Sequence, residues 1–309
     1  MATVILGGGI IGTSIAYYLS EGQSGENIHV VDSSSKLFCS ASGYAAGFMA
    51  RDWFGPSLTP LGDLSFRLHQ SLAAEKGGTE KWGYMKGSAL SLGVAKKKGE
   101  KRGDDRLRTG TSRAETAAGS EQVTAEPPPW LTRQHGADVA KISEDDDTAQ
   151  VDPLRLCEYF LDACLERGVK VHNPVKAVST GEDEAITAVK IVNLDTKAES
   201  TTACSNLVLC AGPWTERVLQ ELFPTAKVSL PIYSLAGYSL VLRSPRYTVE
   251  HEQTTYNGRS QALFTTCPLS CGFCPELFSR QGTEIYIAGL NTTQIPLPDR
   301  ADNYYKSMD

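Results

Sequence analysis

Thr3-Val4-Ile5-Leu6-Gly7-Gly8-Gly9-Ile10-Ile11-Gly12 is the stretch on which the reading of this chain turns. Four β-prone apolar residues run into a glycine turn, and behind it Ile15, Ala16 and Leu19 recur at helical spacing through Ser20. The local order is strand, turn, helix. Gly7, Gly9 and Gly12 fill the pattern G-x-G-x-x-G: the first permits a sharp turn, the second lets backbone approach a pyrophosphate, and the third lets helix pack on strand. The helix N-terminus, with Ile10 and Ile11 in its first turn, would offer free N–H groups and a partial positive charge to the phosphates.

In a chain with this much glycine the bare pattern arises by chance roughly 0.2 times, so its surroundings decide. A second β-rich run, Ile28-His29-Val30-Val31, ends in Asp32 and Ser33. A carboxylate there accepts hydrogen bonds from a ribose and repels a 2′-phosphate, which disfavours NADP. Next comes a run of small residues, Cys39 to Gly47, in which Ser40, Ala41, Ser42 and Gly43 can bring backbone against a pyrophosphate or a flat ring.

Further along, Asp152-Pro153 predicts a helix start; Cys157, Phe160, Leu161, Cys164 and Leu165 form its apolar face, and Gly168 ends it. Residues 169–172 and 175–178 read as strands, and 186–194 with 201–204 as a hairpin. Leu207-Val208-Leu209-Cys210-Ala211-Gly212 reads as a buried parallel strand running into a turn before Trp214. Beyond it, Pro231-Ile232-Tyr233, 237–242 and 284–289 read as strands of a mainly antiparallel domain.

Gly7 to Gly12, Asp32, the Ala41-Ser42-Gly43-x-x-Ala46-Gly47 run and Ala211-Gly212-x-Trp214 together resemble the FAD-dependent oxidoreductases of the D-amino-acid oxidase type, which include glycine and sarcosine oxidases, and in particular their fungal branch. The resemblance runs from Met1 to about Asn291. It implies an α/β chain with a Rossmann-like FAD-binding domain from residues 1–75 and 150–215. A second, mainly antiparallel β substrate domain would come from 76–149 and 216–309. It further implies that Val175 lies beside the adenine, that Ala211, Gly212 and Trp214 lie close to the FAD, and that a small amine or amino acid gives up hydride to the flavin. No catalytic residue is assigned. Two departures stand out. Sarcosine-oxidase-like members carry a lysine that helps oxygen react on the strand similar to 283–289, where this chain has none. The chain also stops at Asp309, which leads to the expectation that a last segment returning to the FAD domain is missing. The alternative reading is a non-catalytic, flavoprotein-like scaffold or fragment acting through protein contacts.

The rest of the sequence sets bounds. At 309 residues the chain makes about two domains or one large one. Thirty basic against 36 acidic residues, a net charge of −6, argue against nucleic acid as a partner. Eight scattered cysteines do not make a disulfide scaffold, and neither a signal peptide nor a membrane-spanning run occurs, so a cytoplasmic location is expected. Residues 96–129, poor in large apolar side chains and ending in Pro127-Pro128-Pro129, read as a disordered insertion. Glu144 to Asp147 reads as a loop. Cys267, Cys271 and Cys274 have a spacing that can hold an iron–sulfur cluster, but the 35 residues that follow are too few for a barrel built on one, and a zinc site would need His251 or Cys210 to fold back because no Cys or His lies downstream, so no metal is assigned. Arg51 is open to two readings, a clamp on a substrate carboxylate or a salt bridge.

Overall fold

The computed structural model describes residues 2–93, 123–132, 138–143, 146–180, 185–266 and 273–307. Two compact units emerge: one gathers Met1–Ala45, Pro153–Leu235 and Thr293–Asp309, the other Ala46–Asp152 and Ala236–Thr292. These boundaries differ from the division expected above, and pairing explains why. Strand Phe48–Ala50 pairs with Thr148–Gln150, which draws residues after 45 into the second unit. Helix Thr215–Leu222 buries Leu222 in the core of the first.

In the first unit, β1 (Thr3–Leu6) leads through α1 (Ile10–Gly22) to β2 (Ile28–Val31). They belong to a parallel sheet in the order Asn206–Leu209, β1, β2, Lys170–His172, with Val4 opposite both Leu207 and His29. Val4, Ile5 and Val30 are fully buried, as central strands of a covered parallel sheet must be. Asn206–Leu209 is only half-buried rather than fully so, because it forms the sheet's edge.

Helix Pro153–Glu166 packs on α1. The Tyr17 and Phe160 rings lie 4.9 Å apart, and the Arg167 guanidinium sits 4.4 Å over the Tyr17 ring while donating to the Tyr17 carbonyl. Its buried face is Leu156, Cys157, Phe160 and Cys164, and burial pushes the Cys164 thiol up to about 11. Leu165, expected on that face, is exposed, since the next residue after Cys164 is turned about 100° away. An antiparallel sheet of Val175–Thr180, Ala188–Asn193 and Glu199–Ala203 completes the unit and shares a core with β1 through Val4, Leu6, Val189 and Ile191. Residues 231–233 are not a strand. The Leu230 N–H is taken by Glu216 Oε2 at 2.8 Å and the Ile232 N–H bends back to the Leu230 carbonyl, so donors a ladder would need are used locally.

Among the described residues the second unit is built on a nine-stranded sheet, antiparallel apart from the pairing of Ser260–Thr266 with Met85–Gly93. Phe48, Trp53, Phe264 and Phe278 fill its core, with ring centroids 5.2–5.7 Å apart. The buried Arg280 donates to the Ala46 carbonyl and lies 4.4 Å over Tyr286, and the Gln150 amide joins the Ala46 and Val151 carbonyls. Most of the expected insertion lies outside the described residues. Its end does not fit that expectation, because Val123–Thr124 pairs with Asp138–Lys141 and Pro128 is buried.

On β2, His29 Nδ1 lies 3.0 Å from His172 Nε2. The rings are parallel within 2° with centroids 5.2 Å apart, which is the geometry of an in-plane N–H···N bond rather than a stack. Burial first, then neighbouring positive charge from Lys170, hold both pKa values below the ordinary 6.5; for His29, His172 adds to this. A histidine kept neutral on folding gives stability that is complete above the unfolded value and lost as the pH falls below it. The thermal midpoint should therefore fall as the pH drops below 6.5, and His172→Gln should flatten that fall; unfolding scans from about pH 5 to 8 would show it.

Candidate functional site

The site begins with three places where backbone meets backbone. Gly7 has φ +112°, and a Cβ there would strike the Cys210 carbonyl; a Cβ on Gly12 would strike the Gly7 carbonyl. Only glycine lets β1, α1 and the end of the 206–209 strand close to this distance. Gly9 precedes α1 without a capping side chain, and a Cβ would lie 3.0 Å from Ser42 Oγ. That hydroxyl accepts the Ile10 N–H at 3.0 Å. Asp32 ties the turn to the end of β2, taking the Gly8 N–H at 2.7 Å and the Ser34 N–H at 2.8 Å, and its oxygens keep further lone pairs. Among the described residues the Gly9 and Ile11 N–H groups have no acceptor.

A cavity of about 390 Å³ opens here, within the size of ordinary small-molecule sites. Gly7, Gly9, Ile10 and Ile11 line it from the turn, Asp32 and Ser33 from the end of β2, and Ser40, Ala41 and Ser42 from the small-residue run. Val175 lines it too, buried, with its N–H 2.7 Å from the Asp32 carbonyl, as do Ala211, Gly212 and Trp214. Gly12 and Gly43 are not on the wall. Gly12 serves the contact with Gly7, and Gly43 lets the small-residue run fold, since a Cβ there would strike the Phe38 carbonyl.

Several charged wall residues were not expected from sequence: Lys176, Arg217, Glu221, Asp299 and Arg300. Arg217 and Glu221 are spaced i, i+4 on the helix directly after Trp214, a signal that could have been used. Asp299 and Arg300 carry no such signal. They are brought back by the Trp214 indole, which donates to the Pro298 carbonyl at 2.7 Å, and by Asp302, which accepts the Ser35 N–H at 2.9 Å and hydroxyl at 3.0 Å.

Elsewhere the structure narrows the other candidates. Arg51 Nη2 lies 3.0 Å from Asp147 and Nε 3.8 Å from Asp63, the salt-bridge reading. Asp146 is held below the usual carboxylate range by hydrogen bonds from Arg259 and Lys86, while Glu144 and Asp145 lie outside the described residues. Cys267 and Cys271 also lie outside them; Cys274 is half-buried. Among the described residues no three His, Cys, Asp or Glu side chains gather as a metal site would need.

Residues 2–304 match the family described as FAD dependent oxidoreductase. The chain belongs to this family. A protein of Schizosaccharomyces pombe named as a putative oxidoreductase is 26% identical over 99% of this chain and 74% of its own length, and the putative oxidoreductase TDA3 of Saccharomyces cerevisiae is 22% identical over 97% and 75%. Glycine oxidase from Geobacillus kaustophilus shares the fold at TM-score 0.67 and 18% identity, covering 94% of this chain and 71% of that one. L-proline dehydrogenase from P. horikoshii does so at TM-score 0.65 and 16%, covering 99% and 76%. FAD is the family's cofactor, and the cavity fits it: glycines where a Cβ would intrude, free N–H groups at a helix start for phosphate, and a carboxylate for ribose.

Gly9→Val is expected to weaken FAD binding at least tenfold, roughly 1.4 kcal/mol, by filling the approach to the turn. Asp32→Ala should weaken it similarly and also lower the melting temperature, because two backbone N–H groups lose their acceptor. Flavin titration and thermal unfolding of the three proteins check both; equal affinities would remove the dinucleotide reading of this turn.

Proposed function

We propose that this chain oxidises a small amine or amino acid using FAD, with the dinucleotide seated in the cavity of the first unit. The observation that carries the reading is the meeting, in one cavity, of the unpartnered N–H groups of Gly9 and Ile11, the Asp32 carboxylate and the wall at Val175. On this reading the N–H groups and Ser40 to Ser42 hold the diphosphate, Asp32 accepts from the ribose, Val175 and Ala177 give the adenine an apolar wall, and Ala211 and Gly212 approach by backbone. Bound FAD supplies a ring that accepts hydride from the α-carbon of an amine. The substrate class is supported by structural relatives named as glycine oxidase, L-proline dehydrogenase and iminodiacetate oxidase. Among the described residues no helix is long and apolar enough to cross a membrane, and a cytoplasmic location is part of the proposal.

The test is anaerobic, so that it does not depend on the electron acceptor. Protein loaded with FAD is mixed with a panel of amino acids and small secondary amines while the yellow flavin band is followed. At least one amine should bleach it. Flavin bound in full but left unreduced by every amine would overturn the substrate class.

A further inference from the structure

We propose that Arg300 is a phosphate-binding residue for the ADP half of FAD, held ready by Asp302 and Ser35; this rests on the cofactor reading above. A diphosphate brings negative charge to a turn whose own contribution is neutral N–H groups and a helix dipole, and α1 contains no lysine or arginine. The cationic side chains on the cavity wall are Lys176, Arg217 and Arg300. Lys176 is closed on Glu221 at 2.6 Å. Among the described residues Arg217 pairs with the almost fully exposed Asp299, at 3.5 Å.

Arg300 is arranged differently. Its Nε and Nη2 both lie 3.0 Å from Asp302, which fixes one edge of the guanidinium, and Nη1 has no partner among the described residues. Asp302 is itself anchored, because it accepts the N–H and hydroxyl of Ser35, three residues beyond Asp32. Burial pushes the Asp302 carboxyl up, but the Ser35 bonds and Arg300 outweigh it and keep it below the ordinary value, so the clamp stays charged. The segment follows the loop that carries Ser40 and Ser42: Tyr304 lies 5.9 Å from Tyr44, and the charge on Asp302 helps to raise the Cys39 thiol, whose largest cause is burial. A guanidinium with one edge fixed and one edge open on a cavity wall matches a phosphate group, which takes arginine through a planar fork.

Ligand truncation tests this without turnover. ADP and adenosine are titrated calorimetrically into the full chain, dialysed free of flavin, as wild type, Arg300→Gln and Arg300→Lys. Arg300→Gln should lose about tenfold in affinity for ADP, the size of a charge-assisted hydrogen bond, and less than about twofold for adenosine. Its ADP binding should also depend less on salt. Arg300→Lys should recover part of the ADP affinity, since it keeps the charge and loses the fork. Equal losses for ADP and adenosine, or none for either, would overturn the proposal and leave the cofactor reading standing. A wild type that binds neither ligand would overturn both.

Discussion

The first unit depends on a distance at which no side chain fits. Gly7 turns the chain through a left-handed conformation while its carbonyl supports Gly12, and the Cys210 carbonyl closes from the other side. Three segments, β1, α1 and the end of the 206–209 strand, are locked together there by backbone alone. The cavity follows from that closure, because α1 can point its unpaired N–H groups at the cavity only if nothing fills the turn. A methyl group at Gly7 or Gly12 would push the helix off the strand that aims it.

Asp32 carries the second layer of the arrangement. By taking the Gly8 and Ser34 N–H groups it makes the turn and the end of β2 a single rigid piece before any ligand arrives. These hydrogen bonds fix the side-chain rotamer and leave further lone pairs on the carboxylate. The same arrangement recurs at Asp302, where a carboxylate anchored on Ser35 orients the Arg300 guanidinium. The cavity is thus edged by acids whose partners are mostly backbone N–H groups and arginines of the protein itself.

Much of this was legible from sequence because the features are local. Gly7 and Gly9, Asp32 at the end of the second strand, Val175, Ala211, Gly212 and Trp214 line one cavity, while Gly12 lies behind the turn against Gly7. The misses are non-local. Leu165 and residues 231–233 have the composition of a core position and a strand, but the rotation of a helix and a carboxylate from Glu216 decide otherwise. Asp299 and Arg300 reach the cavity through contacts that close 84 residues between Trp214 and Pro298 and 267 between Ser35 and Asp302, which no window on the sequence spans. Gly43 was legible as a glycine that matters, though its reason lies in the Phe38 carbonyl and not in a ligand.

Neither unit is a continuous stretch of chain, and this bears on how the protein is made. Thr3 pairs on one side with Ile28 but on the other with Asn206. On a ribosome adding roughly 5–20 residues per second, the second partner of β1 arrives some 10–40 s after the first. Through that interval one edge of β1, with Val4 and Ile5 beside it, stays open to whatever strand it meets. The first unit's parallel sheet is therefore open to mispairing until residue 209 emerges, and a chaperone acting on that unit has this window in which to act.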